Sequence, residues 1–342
     1  MARFTPALVA VVLAFCLLGG CTQPDSESNR DPYVSDSVRI DEAPGRDYFG
    51  FRPIQPSGAA DRGLIMLGKQ LFHDPRLSRD DTVSCASCHI VAAGGDDGRP
   101  VSVGVDGALG THNAPTVLNS AGNFRQFWDG RALDLAEQVE GPVHNPLEMA
   151  TDWDSVVAKL ATDGELIRAF ALNELDLSAD SIVRAIVAYE SALVTPDSPF
   201  DRWLLGQDDA LSAQAHRGRE LFVELGCVSC HQGRNVGGNM FQRFGVFRNY
   251  YEDRAEGALS ASSLGRFNVT GDDADRHVFK VPSLRNVAET APYFHDGSVS
   301  TLTEAIDIMA NYQLGRQLAK AEIASLESFL QSLSGSADEA LL

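Results

Sequence analysis

The chain has 342 residues, a length that suits about two domains, and an ordinary apolar share of 44%. Its formal net charge of −19 excludes a nucleic-acid partner, because neutralising phosphates needs a basic face. An acidic surface suits a basic protein partner instead, the field speeding encounter more than tightening the complex.

Taken from the start, Met1-Ala2-Arg3 is a short positive opening to an apolar run over residues 4–18. That run is too short to span a bilayer comfortably. It ends in Leu18-Gly19-Gly20-Cys21, which resembles a bacterial lipobox. The resemblance implies that residues 1–20 are a lipoprotein-type signal peptide, removed before Cys21, and that Cys21 is lipidated. Lipid chains would anchor an otherwise soluble periplasmic protein. Thr22 rather than Asp follows the cysteine, which points to the outer membrane. Residues 21–52, rich in Asp, Ser, Pro and Asn, read as a disordered tether.

Beyond the tether, helical periodicity dominates and alternating strand patterns are scarce, so the expected fold is all-α. Apolar residues recur at three-to-four spacing over 58–72, 153–170, 179–194, 213–225, 302–312 and 320–333. Ser178 and Ser212 stand where N-caps belong. The Gly/Asn/Asp-rich stretches 92–110 and 233–275 read as long loops, such as would wrap a cofactor.

Two motifs carry the chemistry. Cys85-Ala86-Ser87-Cys88-His89 and Cys227-Val228-Ser229-Cys230-His231 are CxxCH units. Each supplies two thioether links and one axial histidine to a covalently bound haem c. Cys-x-x-Cys alone would also suit half a zinc site or a redox pair; the histidine directly after each favours haem. With Cys16 in the signal and Cys21 at the lipid site, no cysteine remains for a disulfide.

The surroundings repeat. Gly68-Lys69-Gln70-Leu71-Phe72 precedes the first unit and Gly218-Arg219-Glu220-Leu221-Phe222 the second. Pro115, Asn119, Asp129-Gly130, Leu135 and Glu137 recur at identical offsets as Pro282, Asn286, Asp296-Gly297, Leu302 and Glu304. Two c-type cytochrome domains related by internal duplication follow, over 53–205 and 206–342, with a junction near 195–209.

The sixth iron position separates the two sites. Met309, on an expected helix after Asp296-Gly297, is placed to ligate the second haem beside His231 and make it an electron store. The matching offset in the first repeat gives Pro142, with Glu148 and Met149 nearby. The first haem, held by His89, therefore has an open or weakly held distal side. There Glu148 could move a proton between the two oxygens of hydrogen peroxide, and Gln138 could hold the peroxide or an ordered water.

These residues together resemble the bacterial di-haem cytochrome c peroxidase family, over about 58–333. The specific segments are Leu71-Phe72-His73-Asp74-Pro75-Arg76-Leu77-Ser78, Asn113-Ala114-Pro115-Thr116-Val117, Gln126-Phe127-Trp128-Asp129-Gly130-Arg131, Val281-Pro282-Ser283-Leu284-Arg285-Asn286, Thr290-Ala291-Pro292-Tyr293-Phe294-His295-Asp296-Gly297 and Ile308-Met309-Ala310-Asn311-Tyr312-Gln313-Leu314-Gly315. The resemblance implies a low-potential peroxidatic haem on His89 and a high-potential haem on His231 and Met309. It makes Glu148 the catalytic distal acid, Gln138 a distal-pocket residue and Trp128 the aromatic between the haems. Asn113, Thr290 and Pro292 match a calcium site, and His295 a histidine near it. It also implies a small cytochrome c or cupredoxin as electron donor, and a homodimer. One departure stands out. Where many members carry a removable distal histidine, this chain has Ser102-Val103-Gly104-Val105. Valine cannot ligate iron, so the first haem is expected to be reactive without prior reduction of the second, unless His112 or His144 takes the vacant role. A related family, which oxidises tryptophans of a partner protein, places Tyr where this chain has Met309. A di-haem electron shuttle is the non-enzymatic alternative.

Overall fold

The structure, a computed structural model, describes residues 49–58, 61–254 and 260–342. The expected signal peptide, Cys21 and most of the tether lie outside the described residues. Among the described residues no helix is long and apolar enough to cross a membrane.

The fold is mostly helical. Helix α1, Arg62–Phe72, starts where the Asp61 carboxylate accepts the Gly63 and Leu64 amides. A one-turn helix α2, Cys85–Cys88, carries the first motif. Then come α3 (Leu135–His144), α4 (Trp153–Leu160), α5 (Gly164–Leu172) and α6 (Ala179–Ala192). The second half has α7 (Pro199–Leu204), α8 (Ala213–Glu224), the short α9 (Phe267–Thr270), α10 (Leu302–Gln313) and α11 (Lys320–Gln331). Two three-residue strands, β1 (Phe241–Arg243) and β2 (Val278–Lys280), pair antiparallel with Phe241 opposite Lys280.

Ser178 and Ser212 cap α6 and α8 as expected, accepting the Ser181 and Ala215 amides. Other expectations are corrected. The single helix over 153–170 is two, because the Asp163 side chain accepts the Glu165 and Leu166 amides and starts α5 afresh. Within the junction expected near 195–209, α7 forms, capped by Ser198, and buries Phe200, Trp203 and Leu204. The loop over 233–275 contains β1 and α9. Residues 49–52 of the expected tether are ordered, with Phe51 only 3% exposed and edge-on to Phe200.

Two apolar cores carry the molecule. The first draws on α1, α3, α4, α5 and α6, and is joined by Leu341. The second draws on α7, α8, α10 and α11, and is joined by Phe51. Each fully buried Leu, Ile or Phe contributes about 1.5–3 kcal/mol of transfer free energy.

The same devices recur in both halves. On α1, a Cβ at Gly68 would meet the Ala185 carbonyl of α6 at 1.9 Å; on α8, a Cβ at Gly218 would meet the Ser325 carbonyl of α11 at 1.8 Å. Phe72 packs edge-on to Tyr189 and Phe222 edge-on to Phe329, each at 5.2 Å. Asn119 and Asn286 are both left-handed, with φ of 60° and 59°. Their amides donate to the Leu193 and Leu333 carbonyls respectively.

Candidate haem sites

Each CxxCH unit is one helical turn. The His89 amide donates to the Cys85 carbonyl at 2.9 Å, and the His231 amide to the Cys227 carbonyl at 3.0 Å. That turn, with i, i+3 and i+4 spacing, sets both thiols and the histidine on one face. All four cysteines are half-buried. The His89 ring is oriented through Nδ1, 3.1 Å from the Gly95 carbonyl, which leaves Nε2 for a metal. Burial holds both imidazoles below the usual histidine range, His231 down to about 4. Both are therefore in the neutral, ligating form at neutral pH.

Around His231 lies a cavity of ≈ 260 Å³ whose wall includes Cys227, Cys230, Met309, Ala305 and Leu330. Lys280, 6% exposed, lines it too, and forms no ion pair among the described residues. Desolvation pushes its ammonium down to about 8. A neutral imidazole, a thioether and a buried cation awaiting carboxylates are a donor set that fits a haem with its propionates.

Trp128 lines the same cavity. Its Nε1 donates to the Asn113 carbonyl at 2.9 Å, and its own carbonyl accepts the Lys280 amide at 2.8 Å. Asn113, Thr290 and Pro292 also stand on this wall. Asn113 is buried, and its Nδ2 donates to the Arg99 carbonyl, so its Oδ1 is the end left to accept. His295 is 2% exposed, with its carbonyl accepting the Asn113 amide and its Nε2 unpartnered.

At the first site, Glu148 is half-buried, and its Oε1 accepts from Asn145 Nδ2 at 2.6 Å. Burial raises its carboxyl above the usual range, against the Arg131 charge and the Asn145 hydrogen bond. Its field reaches Cys88. Gln138 is half-buried on α3, one turn before Pro142. Val105 is 1% exposed in the first core, and its amide donates to the Glu148 carbonyl at 2.9 Å. The segment that lacks histidine thus props the backbone of Glu148. His144 is 48% exposed and lies 3.9 Å from Glu140 Oε2. His112 keeps a buried, unpartnered Nε2. Sequence reasoning missed Lys280 and Asn145; Asn145 alone had a local signal, three residues before Glu148.

The family profile described as di-haem cytochrome c peroxidase matches residues 62–209. The chain is 45% identical to cytochrome c peroxidase Ccp of Escherichia coli K12 over 86% of its own length and 63% of that protein's. It is 46% identical to cytochrome c551 peroxidase of Pseudomonas aeruginosa, covering 83% of this chain and 84% of the relative. Among solved structures, a MauG-like protein associated with microbial copper homeostasis superposes with a TM-score of 0.73 at 31% identity, over 86% of this chain and 95% of that one. The chain belongs to the di-haem cytochrome c peroxidase family and is a peroxidase oxidoreductase that carries two haem groups.

Proposed function

We propose that the chain reduces hydrogen peroxide to two waters, with two protons and two electrons, at the first haem, and stores electrons at the second. The carrying observation is the asymmetry at one helical position. Met309 lines the His231 cavity; its counterpart at the same offset on α3 is Pro142, which has no atom to ligate with. Cys85 and Cys88 attach the first haem and His89 ligates it; Cys227 and Cys230 attach the second, held by His231 and Met309. Bound haem supplies one-electron chemistry and, at the first site, an open coordination position.

The side chains do the rest. Glu148 Oε2, not engaged by Asn145, takes a proton from one peroxide oxygen and returns it to the departing one. Gln138 orients the peroxide; its counterpart at the same offset, Ala305, lines the second cavity. Trp128 stands on the electron route between the sites. Val105 leaves the first haem open, so the oxidised protein reacts without prior reduction; the exposure of His144 speaks against it as a replacement ligand. Asn113 Oδ1 and the Thr290 and Pro292 carbonyls are hard donors that suit one calcium ion.

The recurring glycine contacts, ring pairs and left-handed asparagines support an origin by internal duplication into two cytochrome c domains. Electrons come from a small cytochrome c or cupredoxin, a basic one being favoured by the net charge of −19. The protein works in the periplasm, tethered through a lipid on Cys21 to the outer membrane, and assembles as a homodimer. Partner-protein tryptophan oxidation is the weaker reading, since Met309 stands where that chemistry has Tyr and the MauG relatives are less similar to this chain, at 33–36%.

Glu148→Ala tests the assignment. Peroxide turnover with a reduced cytochrome c should fall at least about a hundredfold while both haems stay bound. Unchanged turnover would remove Glu148 from the chemistry.

A further inference from the structure

Glu190 on α6 is a buried acid that the peroxidase reading leaves unused. It is 5% exposed, and its Oε2 is buried without a hydrogen-bond partner. Its place is fixed by the repeated helix crossing. Gly68 lies against Ala185 and Tyr189, and Gly218 lies against Ser325 and Phe329 in the same way. One residue beyond Tyr189 is Glu190; one residue beyond Phe329 is Leu330, which lines the His231 cavity. Glu190 therefore occupies at the first haem the position that an apolar side chain occupies at the second. Its proximity to the first motif is independent of that comparison, because its charge acts on Cys85.

We propose that Glu190 is the proton-accepting group of the first haem, taking up one proton when that haem is reduced and releasing it on reoxidation. The inference rests on the reading that a haem is attached at Cys85 and Cys88. The balance is simple. One electron from the donor protein converts ferric to ferrous iron. One solvent proton converts the Glu190 carboxylate to the acid, so no net charge is added to a low-dielectric site. The ferric iron–porphyrin core carries one positive charge that stabilises a nearby carboxylate; reduction removes that charge, and burial then favours the neutral acid. Leu330 gives the second haem no such acid at this position.

Burial raises the Glu190 carboxyl to about 8, and burial is the whole cause. No charge from α1, α3 or α4, the helices packed on α6, contributes to that rise. Two titratable groups feel Glu190. Cys85 becomes a thioether in the haem protein and does not titrate. Tyr189 is raised to about 12 and spends its hydroxyl on the Leu341 carbonyl at 2.7 Å.

The test is redox potentiometry of the holoprotein with each haem followed by its own spectrum. In the wild type, the midpoint of the first haem should fall as pH rises between about 6 and 9. The fall should approach a tenfold change in reduction equilibrium per pH unit, about 59 mV for one electron. The second haem, with Leu330 in this place, is followed alongside and should not change its slope in Glu190→Gln. Glu190→Gln, which keeps shape and polarity, should flatten the first haem. A slope that survives in Glu190→Gln, or is absent from the wild type, overturns the proposal. Redox-difference infrared spectroscopy of the wild type is independent of any variant: a protonated-carboxyl band must appear on reduction of the first haem, and its absence also overturns the proposal. A chain that binds fewer than two haems defeats the functional reading itself; a two-haem chain with a pH-independent first potential defeats only this inference.

Discussion

Glu148 owes its proton affinity to opposed causes. Burial raises it, while Arg131 and the Asn145 amide lower it. As the proposed base, Glu148 would have to start ionised, so turnover should fall as pH drops through its folded pKa. Asn145→Ala removes a hydrogen bond that favours the carboxylate, and the acid limb of kcat/KM should move to higher pH. A limb that stays in place would show that another group sets it. The cysteines, His89, His231 and Met309 proposed to hold the haems could be singled out from the sequence, because covalent attachment would fix their spacing and the repeated context exposes the one position where the copies differ. Lys280, Glu190 and the buried Arg285–Asp201 pair, 2.8 Å apart, could not. Charged side chains are read as surface until tertiary packing encloses them.

Among the elements, caps and periodicity located α6, α8, α10 and α11 closely, whereas α3 was missed. Its Gly141 and Pro142 argue against a helix locally, yet Asp134 caps it, and its first residue, Leu135, matches Leu302 of α10. Pro142 sits in the last turn, where the helix survives it. The strands escaped notice because three residues show no alternation. The helix crossings depend on glycine for contact rather than for backbone freedom. Gly68→Ala and Gly218→Ala each press a methyl group into a carbonyl of the facing helix. Each should cost at least about 1–3 kcal/mol of unfolding free energy, measured by chemical denaturation of the holoprotein. If either is neutral, the crossings are looser than described.

At the scale of the whole molecule, the chain crosses over itself. Phe51 enters the second core, and the Arg52 carbonyl accepts from the buried Arg285 at 2.9 Å. Leu341 enters the first core, its carbonyl held by Tyr189. Neither contact was foreseeable, since both join residues far apart in the chain to a core that local periodicity already completes. Leu341→Ala should lower stability by about 2–5 kcal/mol, and an unchanged denaturation midpoint would show that the tail only lies on the surface.

The crossover also sets an order of events. The core beside the first haem lacks its last buried side chain until residue 341 has arrived, and the core beside the second cannot be sealed without residue 51. Neither half can finish alone. The half that is made first is therefore the half completed last.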